Sequence, residues 1–129
     1  MANWLEDILL GVKGWVSPAA ELVTNDGAAH VLASYAEPAS QKTASYRVHV
    51  VADETPVNND AAGFLLFLTV KNVGGVFSEV HATISDGAGT GGLVASIAHN
   101  NTTHAVEVSV TGIAARFFKW RCVRLETAP

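Results

Sequence analysis

Residues 45–126 form a succession of short segments in which apolar and polar side chains alternate. Alternation with a period of two gives a β-strand one face for a core and one face for solvent. Turn-forming residues separate the segments, as at residues 53–56 and 72–75. The pattern therefore predicts an all-β fold, either an antiparallel β-sandwich or a jelly-roll-like barrel.

The composition limits the classes of protein open to this chain. It has 129 residues, of which 49% are hydrophobic, so one domain can bury its own core without metal ions or disulfides. The formal charge is −4 and 16% of the residues are charged, so neither nucleic acid nor an anionic membrane is expected as a partner. Cys122 is the single cysteine, which excludes an intramolecular disulfide and fits synthesis in a reducing cytoplasm.

An apolar cluster near the first methionine predicts a short amphipathic helix over residues 3–13. Asn3 can cap its first turn, and Glu6 stands where a capping-box partner would be. Glu6 and Asp7 interrupt the apolar run, so the segment lacks the pattern of a secretory signal. It is also too short to span a bilayer, which takes about 20 apolar residues. The apolar positions are Trp4, Leu5, Ile8, Leu9, Val12, Trp15 and Val16.

The apolar side of this helix has two possible partners, this chain's own sheet or a neighbouring subunit. Residues 14–43 are rich in Ala, Ser and Pro and are expected to form an irregular lead-in with one strand candidate at 30–35. The predicted organisation is a helix and arm over 1–44, a possible docking segment, followed by a β-sandwich over 45–129. The candidate interface residues are Trp4, Leu5, Ile8, Leu9, Trp15 and the apolar strand 64–70, which includes Leu65.

Faces can be assigned to the strands of the sandwich. Segment 62–71 has apolar residues on both faces, which predicts a strand that lies centrally or at a subunit contact. In the last strand Phe118, Trp120 and Cys122 share one face, and Trp120 is expected to anchor the core. Strands are predicted at 46–50, 62–71, 76–85, 93–99, 104–111 and 117–125, with hairpins joining the second to the third and the fourth to the fifth.

The order of these segments resembles a β-sandwich module of tailed-bacteriophage structural proteins, of the tail-fibre and capsid-decoration type. A valine-rich strand at 45–52 precedes the long apolar strand 64–70 and a Lys-Asn-x-Gly-Gly turn at 71–75. A valine–threonine–glycine strand at 106–112 then leads to the aromatic residues 118–120. The likeness covers about the last two thirds of the chain.

This resemblance implies a role in assembly or attachment. Such modules occur at the ends of tail-fibre and other virion proteins, often as trimers, so other copies of the chain and a major capsid or tail protein are the implied partners. The expected function is a non-enzymatic virion structural protein made in the host cytoplasm, either a capsid decoration or cement protein or a small tail-associated subunit. The alternative is a receptor- or glycan-binding module of a tail fibre or tailspike, which would use the loops 58–61 and 86–92.

Two sequence patterns that could indicate a cofactor or metal site have simpler structural explanations. Residues 87–92 satisfy G-x-G-x-x-G, but a dinucleotide site needs a helix after these glycines and here a strand is predicted. His99 and His104 could face each other across a hairpin with His81 nearby, yet no further metal ligand is evident. We therefore expect a loop and ordinary surface imidazoles, with neither a cofactor nor a metal site.

Four carboxylates lie in predicted loops, where the acid and base of a glycosidase could converge. They are Asp53, Glu54, Asp60 and Asp86. Loop carboxylates are more often only solvated, and the chain has no Gly-x-Ser-x-Gly sequence that would indicate a serine hydrolase. The sequence therefore predicts no catalytic residues.

Overall fold

The computed structural model describes residues 19–55, 60–88 and 92–125. Within them the regular structure is entirely β, in antiparallel sheets, which confirms the all-β, antiparallel part of the predicted fold class. The helix predicted over 3–13 lies outside the described residues. The described part contains no helix of the length and apolarity that crossing a membrane requires. The strands are β1 (Ala20–Thr24), β2 (Ala29–Ala36), β3 (Lys42–Glu54), β4 (Ala61–Val73), β5 (Val76–Ala88), β6 (Val94–Asn100), β7 (Ala105–Thr111) and β8 (Phe118–Leu125).

The strands form two sheets of unequal size. The larger sheet has the order β1-β8-β3-β4-β5, and the smaller has the order β2-β7-β6. The predicted hairpins are present as the β4–β5 and β6–β7 pairs. In the first hairpin Gly74 and Gly75 have φ angles of 61° and 89°, the left-handed values that a two-residue turn of this kind requires. Asn72 Oδ1 accepts a hydrogen bond from the Gly75 N–H at 2.8 Å and so closes the turn.

The sandwich begins earlier in the chain than the sequence pattern indicates. The strand candidate at 30–35 is part of β2, but β1 also replaces the expected irregular lead-in, and the predicted boundary at residue 45 falls inside β3. β1 pairs with β8, and β2 pairs with β7. The pattern missed β1 because this strand is short and gains its core contacts only by pairing with the end of the chain.

The core lies between the two sheets, and Trp120 stands in it as predicted. Its side chain is 0% exposed and stacks on Phe64 with ring centroids 6.2 Å apart. Its indole Nε1 donates a hydrogen bond to Thr24 Oγ1 at 2.9 Å. Phe118 and Cys122 are buried on the same face of β8. The largest fully buried side chains are Trp120, Tyr46, Phe118, Leu66 and Leu68.

β4 has the interior position in its sheet that its two apolar faces predict. It lies between β3 and β5. Leu65 and Phe67, on the outer face, are half-buried, because the smaller sheet packs only against the inner face. The inner face consists of the buried residues Phe64, Leu66, Leu68 and Val70. At Leu65 and Phe67 the outer face of the larger sheet is therefore apolar, and no second layer of described residues covers it.

We expect Thr24→Val to lower the free energy of unfolding by about 1–3 kcal/mol, because it leaves the buried Trp120 N–H without its acceptor while keeping the side-chain volume nearly constant. Urea denaturation followed by tryptophan fluorescence measures this change. The control is Thr69→Val, which removes a hydroxyl from the exposed pair with Ser45 and should cost less than about 0.5 kcal/mol. Equal losses in both variants would contradict the prediction.

Candidate functional site

The outer face of the five-stranded sheet carries a candidate binding surface. Val123, His49, Leu65 and Ile84 are partners in register and form one row across β8, β3, β4 and β5. Two shallow grooves of about 260 and 490 Å³ follow this row and share His49. The first groove includes Ala19, next to β1, and the second includes Ile84 on β5. We call this continuous depression the outer-face trough.

The trough combines an apolar floor with basic residues beside it. Val51 and Leu65 are half-buried on the floor, and Ile84 is 60% exposed. Arg121 lies in the row on one side of the trough, and Arg47 lies in the row on the other side. Contiguous apolar surface that is left exposed marks a contact with another polypeptide segment more often than a reaction centre. The trough is therefore suited to binding rather than to catalysis.

Each of the three histidines that the sequence suggested as metal ligands lies beside a carboxylate in the structure. His99 Nε2 lies 2.7 Å from Glu37 Oε2, with the His99 side chain 2% exposed, and His104 Nδ1 lies 3.8 Å from Glu37 Oε1. His81 Nε2 lies 3.8 Å from Glu79 Oε2 on β5. Within the described ranges no group of three or more His, Cys, Asp or Glu side chains could hold a metal ion. Sequence reasoning missed Glu37 because it stands in the segment that was expected to be irregular.

Three of the four loop carboxylates, Asp53, Glu54 and Asp60, are held by arginines. Glu54 accepts hydrogen bonds from Arg116 Nε and Nη2, both at 2.8 Å, and Arg116 Nη2 also donates to Asp60. Asp53 accepts from Arg121 Nη2 at 3.1 Å. The hydrogen bonds from Arg116 lower the pKa of Glu54, whereas a catalytic acid at neutral pH needs a raised pKa. The bonds of Arg116 fasten the loop before β8 to the end of β3 and to Asp60, and the Asp53–Arg121 bond joins β3 to β8 itself.

The remaining predicted positions fall into two groups. Asp86, Gly87 and Ala88 belong to the end of β5, and β6 begins at Val94, so a strand follows the glycine-rich segment as predicted. Leu65 lies on the floor of the outer-face trough. The other interface candidates, which lie outside the described residues, are Trp4, Leu5, Ile8, Leu9 and Trp15.

The Glu54–Arg116 pair predicts a specific dependence of stability on pH. Arg116 holds the pKa of Glu54 below its ordinary value of about 4.5 in the folded chain, so the pair stabilises the fold above that value and this contribution is lost as the pH falls through the lowered pKa. We expect Glu54→Gln to lower the urea midpoint at neutral pH and to reduce its further fall between about pH 5 and pH 3.

The control for this measurement is Glu21→Gln. Glu21 is 55% exposed and lies 3.7 Å from Lys119 Nζ, and exposed pairs of this kind contribute little. We therefore expect the control to keep nearly the native pH profile. A Glu54→Gln profile parallel to that of the native chain would contradict the assignment of the acid-sensitive contribution to this pair.

The fold described here is similar to part of a phage tailspike. The crystal structure of the Acinetobacter baumannii phage AM24 tailspike protein matches 88% of this chain with a TM-score of 0.52 and 13% sequence identity. The Acinetobacter phage vB_ApiP_P1 tailspike protein matches 82% with a TM-score of 0.47 and 16% identity. This chain spans 26% and 21% of the lengths of those two proteins. No protein-family model matches the sequence, and no curated protein is significantly similar to it.

These comparisons bear on the resemblance noted in the sequence. The AM24 comparison confirms it at the level of a β fold that is also present in a phage tailspike protein. At 13% identity the likeness concerns the fold alone.

Proposed function

We propose that this chain is a non-enzymatic structural module of a bacteriophage tail, located in the virion, that acts through contacts with neighbouring subunits. The observation that carries the proposal is the likeness of its fold to about a quarter of the AM24 tailspike protein. Of the two structural roles expected from the sequence, this likeness favours the tail-associated subunit over capsid decoration.

The free edge of the larger sheet supports a role in subunit contacts. β5 is the last strand of its sheet, is 13 residues long and has no further strand beside it among the described residues. Val76 and Val80 are 69% and 76% exposed, and Val73, the partner of Val76, is 45% exposed. A long edge strand with exposed valines favours pairing with another chain. We call these three valines and the β5 edge the hairpin edge and propose it as a contact within a homotrimer.

The non-enzymatic part of the proposal is supported by the state of the loop carboxylates. Glu54 and Asp53 are engaged by arginines, and the pKa of Glu54 is lowered rather than raised. A glycosidase needs one carboxylic acid that stays protonated near neutral pH and a second carboxylate facing it across the substrate. The arginine pairing makes Glu54 unsuited to the first of these roles.

A receptor- or glycan-binding role in the tail is the second candidate. Phe117 is 50% exposed in the loop before β8, next to Arg116 and its two carboxylate partners. An exposed aromatic ring beside charged groups, in a loop held by a rigid sheet, is a common composition for a recognition site. Saturable binding of the chain to the purified surface polysaccharide of the host would favour this candidate.

Negative charges introduced at the hairpin edge test whether it is a subunit contact. We expect the double variant Val76→Glu, Val80→Glu to shift the chain toward monomers, because carboxylates at the contact would have to be desolvated and would repel their copies. Size exclusion with light scattering at matched concentration measures the mass. The control is Val94→Glu, which changes a valine that is 51% exposed on β6 of the other sheet. Equal masses for the native chain and both variants would exclude the hairpin edge as the contact.

The proposed location can be tested on virions of a phage whose genome encodes this chain. Antibodies raised against the purified chain, with gold-labelled secondary antibody, should mark the tail in electron micrographs. The control is the same labelling of a phage that lacks the gene. Gold over the capsid surface would overturn the tail assignment and restore the decoration role, and unlabelled particles would overturn both.

A further inference from the structure

We propose that the outer-face trough binds residues 1–18 of the same chain, so that the apolar N-terminal segment folds back across the five-stranded sheet. This inference does not depend on the proposed role in a phage tail, because it concerns only how this chain covers an apolar face of its own sheet. Four observations carry it: where the described chain begins, the length of the trough, its chemistry, and the tethering of the segment.

The described chain begins at one end of the trough. Ala20 pairs with Cys122, so Ala19 lies beside Val123, the first residue of the row across the sheet. Side chains alternate along a strand, so Ala19 shares the outer face with Glu21, the partner of Arg121. The segment that precedes Ala19 therefore leaves β1 directly at the trough and does not have to pass around a sheet edge to reach it.

The lengths of the segment and the trough agree. Neighbouring strands lie about 4.8 Å apart, so the three steps from β8 to β5 span about 14 Å. The helix predicted over residues 3–13 would be about 16 Å long. Residues 14–18 remain to connect that helix to Ala19. An N-terminal helix of this size can therefore cover the row from Val123 to Ile84.

The chemistry of the segment complements that of the trough. The floor offers Val51, Val123 and Leu65 as apolar surface. Arg47 and Arg121 stand on opposite sides of the row, Arg121 already donating to Asp53 at 3.1 Å, and the segment supplies the negative charges of Glu6 and Asp7. Its apolar side chains are Trp4, Leu5, Ile8, Leu9, Val12, Trp15 and Val16. An amphipathic segment with this composition can bury its apolar side on the floor and keep its acidic side chains near the arginines.

A second copy of this chain is the competing occupant of the trough. The segment attached at Ala19 has the advantage of a tether, because a short linker holds it at an effective concentration in the millimolar range. A segment from another copy has to reach the same site at the concentration of the protein itself. The point of attachment therefore favours binding within one chain.

Tryptophan fluorescence can test this proposal on the full-length chain. Trp4 and Trp15 report on the segment, since the third tryptophan, Trp120, is 0% exposed in the core. In the native chain we expect acrylamide to quench these tryptophans severalfold less efficiently than it quenches the free peptide 1–18. Burial of both indoles in the trough would be the reason for the protection.

Charges on the trough floor should remove this protection. We expect both Ile84→Glu and the double variant Leu65→Glu, Ile84→Glu to raise the acrylamide quenching constant severalfold. Ile84 is already 60% exposed in the native chain. If circular dichroism shows that the double variant is unfolded, the single variant Ile84→Glu is used in its place. The matched control is Thr43→Glu, at an exposed position on the same face of the sheet that belongs to neither the trough nor the hairpin edge and should leave the constant unchanged.

Protection that persists in the monomer and is lost only in the trough variants would support the proposal. Quenching of the native chain as efficient as that of the peptide would overturn it. Equal effects of the trough variants and Thr43→Glu would also overturn it. Protection that disappears on dilution together with a fall in mass by light scattering would also overturn it, because the segment would then occupy another copy. The mass of the hairpin-edge variants is a separate readout, so the two proposals can fail independently.

Discussion

The hydrogen bond from the Trp120 indole to the Thr24 hydroxyl holds the first and last strands of the sandwich together inside the core. The same hydroxyl is approached closely by the chain after β7, since a Cβ on Gly112 would lie 2.5 Å from Thr24 Oγ1. An unpaired indole N–H in this position would be costly, so the bond keeps β1 in register on β8. The position of Ala19, and with it the start of the outer-face trough, depends on that register.

The unequal size of the two sheets explains where this protein can make contacts. Three strands cannot cover both faces of five, so the outer face of the larger sheet and the edge of β5 are left without described partners. The outer face is apolar along the row that ends at Ile84, and the edge carries Val76 and Val80. We assign the trough to the N-terminal segment of the same chain and the hairpin edge to a neighbouring subunit; the first assignment uses Ile84 and the second uses Val76 and Val80, nearer the hairpin turn of the same strand.

Charged groups fasten the loops between strands in this fold. Arg116 connects Glu54 at the end of β3 with Asp60 before β4, and Glu37 receives the nearly buried His99 from β6. Glu54, Asp60 and His99 are among the carboxylates and imidazoles that suggest catalysis or metal binding when the sequence is considered alone. Pairing gives them a structural role, because a carboxylate that accepts hydrogen bonds from arginine is stabilised in its charged form.

The sequence by itself determined the strands from β3 onward, the two hairpins and the buried face around Trp120. These features follow from period-two alternation and from turn residues such as Gly74 and Gly75, which are properties of neighbouring residues. Only the tertiary structure decided that β1 pairs with β8, that Glu54 meets Arg116, and that Val123, His49, Leu65 and Ile84 align into a trough. These contacts join residues that are far apart in the chain. Strand order and register determine such contacts, and neither leaves a local pattern in the sequence.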